Sequence, residues 1–129
     1  VTGLGMDIVD LAAFREQLAV PGSVFVEETF TPGERRASGG RAGDDPARHL
    51  AARFAAKEAF IKAWSGSRRG HAPKLTTVDL REIEVVHDAW GRPSLELHGT
   101  LAEVVGDVAL QVSLTHDGGY AAAVVMLQG

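Results

Sequence analysis

Three side chains in this 129-residue sequence are of the right types and spacing to work on a phosphorylated substrate. Glu58 and Lys62 stand four residues apart within HLAARFAAKEAFIKAW (49–64), a run free of Gly and Pro. A helix there sets a carboxylate and an ammonium one turn apart on one face. A carboxylate is a natural ligand for a hard divalent cation and an ammonium can hold a phosphoryl oxygen, so the pair suits a magnesium-bound diphosphate. The same spacing is also an ordinary helix-stabilising device. Ala51 and Ala55 share the face of this pair, which would let a ligand approach the helix closely. Asp7 follows Gly3 and Gly5 near a strand end, where it would serve as a second magnesium ligand or simply as a turn former or cap. Ser65-Gly66-Ser67 offers backbone amides and hydroxyls at the helix terminus, although a Gly there is also the usual C-cap, and the Walker pattern is missing. Lys57 falls between Phe54 and Ile61 on the apolar side, where its stem would snorkel or its ammonium would pair with an inward carboxylate.

The remaining polar features are less specific. The five histidines, at 49, 71, 87, 98 and 116, show no i,i+4 pair and no metal-binding spacing. Ser113 and His116 close a strand, but no nucleophile elbow accompanies them. Gly91-Arg92-Pro93 reads as a hairpin connection with one exposed cation. The absence of cysteine removes thiol nucleophiles, Cys-based zinc sites and disulfides.

These residues need elements to position them. Val1–Val9 reads as a short buried strand, and Asp10 caps a helix over Leu11–Ala19 that Pro21-Gly22 stops. Thr31-Pro32-Gly33-Glu34 has the spacing of a capping box and opens a further short helix. The stretch from Ser38 to Pro46 contains only small and charged residues and is expected to be a loop. The long helix spans His49–Trp64, with Leu50, Phe54, Ile61 and Trp64 on its core face and Ser65-Gly66-Ser67 ending it. Val78–Asp88 and Ser94–His98 form one hairpin, Thr100–Val105 a short helix, and Val108–Thr115 and Tyr120–Gln128 a second hairpin around Asp117-Gly118-Gly119. The order predicts a single α+β domain, 1–129, with a small antiparallel sheet packed against a long central helix.

Composition limits the partners. A net charge of -4 argues against phosphate-backbone binding as the main task, so nucleic acid is not expected and any anion site must be local. The apolar run Tyr120–Leu127 is too short to span a bilayer, and the N-terminus lacks the features of a signal peptide, so the expected compartment is the cytoplasm with no membrane partner.

Taken in order, Gly3-Leu-Gly-Met-Asp7-Ile-Val, Phe30-Thr-Pro-Gly-Glu34, Leu50-Ala-Ala-Arg-Phe-Ala-Ala-Lys-Glu58-Ala-Phe-Ile-Lys62-Ala, Gly91-Arg-Pro93 and Val112-Ser-Leu-Thr-His116 resemble the holo-acyl carrier protein synthases, the short-chain group of the 4'-phosphopantetheinyl transferases. The resemblance covers nearly the whole chain and implies that family's fold. It also implies transfer of the phosphopantetheine arm of coenzyme A to a serine of an apo acyl carrier protein, with release of adenosine 3',5'-bisphosphate. On this resemblance Asp7 and Glu58 ligate Mg2+, Glu58 takes the serine proton directly or through a metal-bound water, and Lys62 stabilises the departing phosphate. Arg53 and His116 hold phosphates of the nucleotide end, Gly91, Arg92 and Pro93 line the adenine pocket, and Ser65 and Gly66 join the coenzyme A contacts. The family implies a homotrimer with sites shared between neighbours. The first helix has Ala12 and Ala13 where relatives often carry basic residues, which leaves Arg15 as its docking cation, extended by Arg35 and Arg36, with the Arg41 to Arg48 segment as the next place for a docking surface. A non-catalytic carrier-protein or nucleotide-binding module and a magnesium-dependent nucleotide hydrolase are the competing readings.

Overall fold

The computed structural model describes residues 2–39 and 45–129. The chain runs β1 (Thr2–Asp10), α1 (Leu11–Leu18), α2 (Phe25–Thr29), α3 (Pro32–Ser38), α4 (Pro46–Ser67), a 3-10 turn (Leu80–Glu82), β2 (Ile83–His87), β3 (Pro93–Leu97), α5 (Gly99–Val105), β4 (Ala109–Asp117) and β5 (Tyr120–Gln128). Two antiparallel sheets result: three strands in the order β1-β5-β4, and the separate hairpin β2-β3. This is the expected mixed architecture around a long helix, with the strands divided between two sheets.

Local chemistry explains most boundaries. Asp10 accepts from the backbone N–H groups of Ala12 and Ala13, which starts α1 directly at the end of β1. Thr31 and Glu34 form a complete capping box at α3. The central helix starts earlier than the apolar periodicity indicates, because Asp45 caps it and Pro46 takes its first turn. It also ends later: Ser65-Gly66-Ser67 is helical, and the chain leaves the helix at Arg68 before Gly70, whose φ of 89° requires glycine. The expected strand from Val78 begins only at Ile83: residues 78–79 are irregular and Leu80–Glu82 form a 3-10 turn, capped by the Asp79 carboxylate on Arg81 N. Of the predicted loop from Ser38 to Pro46, Ser38 closes α3 and Pro46 opens α4, while 40–44 lie outside the described residues, as does Val1. The short helix α2 had no periodic signal; it is held by Phe25, which meets Phe14, Phe30 and Phe54 edge-on or tilted.

The helix α4 is enclosed by both sheets and by α1 and α3, so it has no single core stripe. Ala51, Ala55, Ala56, Ala59, Phe60 and Ala63 are fully buried, whereas Phe54 and Ile61, expected at the core face, are half-buried. The face of Ala51 and Ala55 is therefore not open to a ligand. It is where β1 packs, and the contact is unusually close: a Cβ on Gly3 would lie 1.9 Å from Ala63 O and one on Gly5 2.1 Å from Ala59 O. Small residues on both sides allow the backbones to meet. Because strand side chains alternate, Asp7 points to the same side as Gly3 and Gly5, toward α4. The opposite side of β1 is not buried: Leu4, Met6 and Ile8 are each about two-thirds exposed.

Candidate active site

The close β1–α4 contact brings Asp7 to Glu58 and Lys62. Lys62 Nζ donates to Asp7 Oδ1 and to Met6 O, each at 3.1 Å, so its ion-pair partner is Asp7 across the interface. The within-helix spacing to Glu58 is thus not what holds Lys62. Glu58 is half-buried, and its carboxyl is pushed above the ordinary range, first by desolvation and then by the charge of Asp7, with Lys62 opposing. Two carboxylates that raise one another's energy, with an ammonium beside them, fit a hard divalent cation, whose charge would relieve the repulsion. Two protein oxygens are also the number that leaves Mg2+ open to substrate and water. Of the other acidic cluster among the described residues, Glu84, Glu96 and His98 at the β2-β3 hairpin, two members are engaged in internal hydrogen bonds: Glu84 accepts from Thr31 (2.6 Å) and meets His98 (2.9 Å).

Beside Glu58 opens a cavity of about 460 Å³ whose apolar wall comprises Ile61, Trp64, Leu75, Val78 and Leu80, with Arg68, His71 and Lys74 at its polar side. Ser65 lines this cavity, but Gly66 does not. The amides of Ser65 to Ser67 lie inside the helix and are not free to cradle a phosphate, and Ser67 Oγ donates back to Trp64 O at 2.6 Å.

Arg53, Gly91, Pro93 and His116 meet elsewhere, around a pocket of about 210 Å³ also lined by His49, Ala52, His87 and Leu114. Arg53 and Glu58 are five residues apart on α4 and so point about 140° away from one another. The pocket holds one buried cation. Arg53 is only 5% exposed, donates to His49 O at 3.2 Å and meets His87 Nδ1 at 3.4 Å, and burial pushes its pKa down. Arg92 is not among the lining residues: it pairs with Asp88 at 2.6 Å and lies over the exposed Trp90 ring, 5.1 Å from its centroid. His87 and His49 were not singled out by sequence. Three isolated histidines carry no spacing signal, and only β2, α4 and β4 converging brings them together.

Lys57 has the inward carboxylate that its position called for. Its ammonium is fully buried and donates to Glu34 Oε1 and Leu80 O, both at 2.8 Å, and to Ile83 O. Glu34 was legible only as a capping residue; its second oxygen accepts from Val85 N at 2.9 Å. Burial pushes the Lys57 pKa down, against the pull of Glu34.

Residues 3–125 match the model of the 4'-phosphopantetheinyl transferase superfamily. The chain belongs to that family. The superfamily member named holo-[acyl-carrier-protein] synthase from Mycobacterium tuberculosis H37Rv is 54% identical over 128 residues, covering 99% of this chain and 97% of that protein. Among solved structures, the ACPS–CoA complex of Chronobacterium ammoniagenes superposes with a TM-score of 0.91 at 45% identity, covering 99% of this chain and 97% of that one. The Mycobacterium tuberculosis acyl carrier protein synthase gives a TM-score of 0.79 at 50% identity, covering 98% and 96%. As a transferase of this superfamily the chain is an enzyme, and the close fit over the full length carries the helix and both sheets. No helix among the described residues is long and apolar enough to cross a membrane.

Proposed function

We propose that this enzyme transfers the 4'-phosphopantetheine arm of coenzyme A to a serine of an apo acyl carrier protein. The observation that carries the proposal is the meeting of Asp7, Glu58 and Lys62 across the β1–α4 contact, at the family motif positions. The serine oxygen attacks the phosphorus that bears the pantetheine arm, the bridging P–O bond breaks, and adenosine 3',5'-bisphosphate leaves. Glu58 takes the hydroxyl proton, directly or through a metal-bound water. Lys62 meets the negative charge that develops on the departing phosphate. Asp7 and Glu58 would hold Mg2+, which when bound neutralises and aligns the diphosphate. The cavity beside Glu58, with Trp64, Leu75 and Val78 in its wall, suits the uncharged pantetheine arm.

The nucleotide end requires the other cationic pocket. Because that pocket and the Glu58 cavity occupy different sides of α4, a site built from both is best supplied by two protomers, with Gly91 and Pro93 of one serving Asp7 and Glu58 of its neighbour. Support for the homotrimer comes from the outer face of the β1-β5-β4 sheet, where Leu4, Met6, Ile8, Val124 and Met126 are exposed. Within β5, Val124 and Met126 belong to this outer face, while Ala121, Ala123, Val125 and Leu127 face inward. Placement in the cytoplasm and a role in fatty acid biosynthesis and lipid metabolism agree with this reading. For docking of the carrier, Arg15 is partly neutralised by Asp45, its Nη2 lying 2.5 Å from Oδ2, which leaves less free charge on α1 than the sequence indicates; of the alternative segment from Arg41 to Arg48, 41–44 lie outside the described residues and Asp45 to Arg48 form the cap and first turn of α4.

The deciding experiment incubates apo carrier protein, coenzyme A and Mg2+ with the enzyme and follows carrier mass. Gain of the phosphopantetheine mass, lost in Glu58→Gln and Asp7→Asn variants that still fold, is the expected result. A folded Glu58→Gln variant with unchanged turnover would remove Glu58 from the mechanism; hydrolysis of coenzyme A with no change in carrier mass would favour a hydrolase.

A further inference from the structure

Among the described residues the Arg53 pocket has no counter-charge: none of those lining it is acidic, and the buried guanidinium's Nε finds no partner among them, beside three imidazoles, His49, His87 and His116. An unpaired buried cation is costly, so an anionic ligand would complete the charge balance. The nearby carboxylates are committed elsewhere. Asp88, next to His87, accepts from Trp90 N, Arg92 N and Arg92 Nε at 2.9, 2.9 and 2.6 Å. Glu34, whose field reaches Arg53, is bound to Lys57.

Resting on the coenzyme A reading above, we propose that His49 and His87 join Arg53 and His116 in receiving the phosphomonoester of the nucleotide, and that His87 takes up a proton as that group binds. His87 faces His49 and Arg53 from α4, Asp88 and its partner Arg92 from the β2–β3 turn, and shares the pocket with His116 from β4. In the free enzyme its pKa is pushed down by desolvation and by the charges of Arg53 and His49, with Asp88 opposing. A neutral imidazole accepting from Arg53 through Nδ1 carries its proton on Nε2. A dianion entering the pocket reverses the sign of the local field and favours the imidazolium. A lysine or arginine in that place would bind without this pH dependence. A phosphomonoester has its second pKa near 6 and is essentially a dianion above about pH 7, so a decline in affinity at higher pH reports the protein side.

The test is calorimetric binding of coenzyme A and of 3'-dephospho-coenzyme A, without divalent cation, between about pH 7 and 8.5. The pyrophosphate and pantetheine are common to both, so the ratio of the two Kd values isolates the monoester. The preference for coenzyme A is expected to fall by up to about tenfold per pH unit, the limit for one linked proton. His87→Gln should weaken coenzyme A binding, leave 3'-dephospho-coenzyme A within twofold, and flatten the slope; His49→Gln should weaken coenzyme A selectively. A ratio independent of pH, or a His87→Gln variant that weakens both ligands alike, overturns the inference while leaving the transferase reading intact. A wild-type protein that binds neither ligand overturns the transferase reading, and this inference with it.

Discussion

Replacing Lys57 by methionine keeps most of the side-chain volume and removes one buried charge. The ammonium is 0% exposed, as is the Glu34 carboxylate it meets at 2.8 Å. Its loss leaves Glu34 charged in the core with only the N–H groups of Thr31 and Val85 as donors, and strips a donor from Leu80 O and Ile83 O. Removing one member of a buried pair costs about 3–5 kcal/mol, because the remaining charge is uncompensated. For a domain of this length that corresponds to a fall in Tm of about 10–20 °C. Urea and thermal unfolding at fixed protein concentration measure it. Combining Lys57→Met with Glu34→Gln should cost less than the sum of the two single changes, since the stranded charge is gone while the carbonyls stay unpaired. A folded Lys57→Met protein within about 1 kcal/mol of wild type would refute the reasoning, because at that cost the pair behaves like an exposed one.

Gly5→Ala places a Cβ 2.1 Å from Ala59 O and 2.6 Å from Ala63 N, both backbone atoms that cannot yield, so β1 must shift and carry Asp7 away from Lys62; destabilisation of about 3 kcal/mol or more and a turnover loss of about 10²-fold are expected from unfolding curves and transfer rates. Asp45, held down to about 2 mainly by its hydrogen bonds from Arg15, contributes stability that is complete above the ordinary 3.8 and is lost as pH falls toward 2; Asp45→Asn should flatten the urea midpoint across that window. Met6→Asp puts a charge in the middle of the exposed outer face of β1; if the proposed trimer forms through that face, light scattering should report a monomer for the variant, with transfer activity falling alongside.

Much of the local structure was determined by short-range chemistry. Asp10 and Thr31 with Glu34 act within a few residues of themselves, so the starts of α1 and α3 could be read directly, and the Asp117-Gly118-Gly119 turn followed by the apolar run Tyr120–Gln128 marked β5 to its ends. Asp7, Glu58 and Lys62 were readable as a motif, because they stand in the linear order of the family pattern that the chain resembles. What Lys62 pairs with was not readable. Its helical neighbour Glu58 is the obvious partner by spacing, whereas Asp7 reaches it only because two glycines in β1 let the strand approach α4 within backbone contact. The core face of α4 was legible only in part for a related reason: Leu50 and Trp64 are buried and Phe54 and Ile61 pack against the core, but periodicity identifies one stripe, and α4 is covered on several sides. The same enclosure buries Arg53 and Lys57; the apolar side of α4 pointed to an inward partner for Lys57 but could not name it, and nothing in the spacing indicated that Arg53 is buried. Lys57 finds Glu34 in the capping box of a different helix, and Arg53 finds three histidines drawn from three elements. Spacing along the chain decides which groups one element presents; the charge balance of a pocket depends on which elements close around it, and that is settled only when the strands and helices pack.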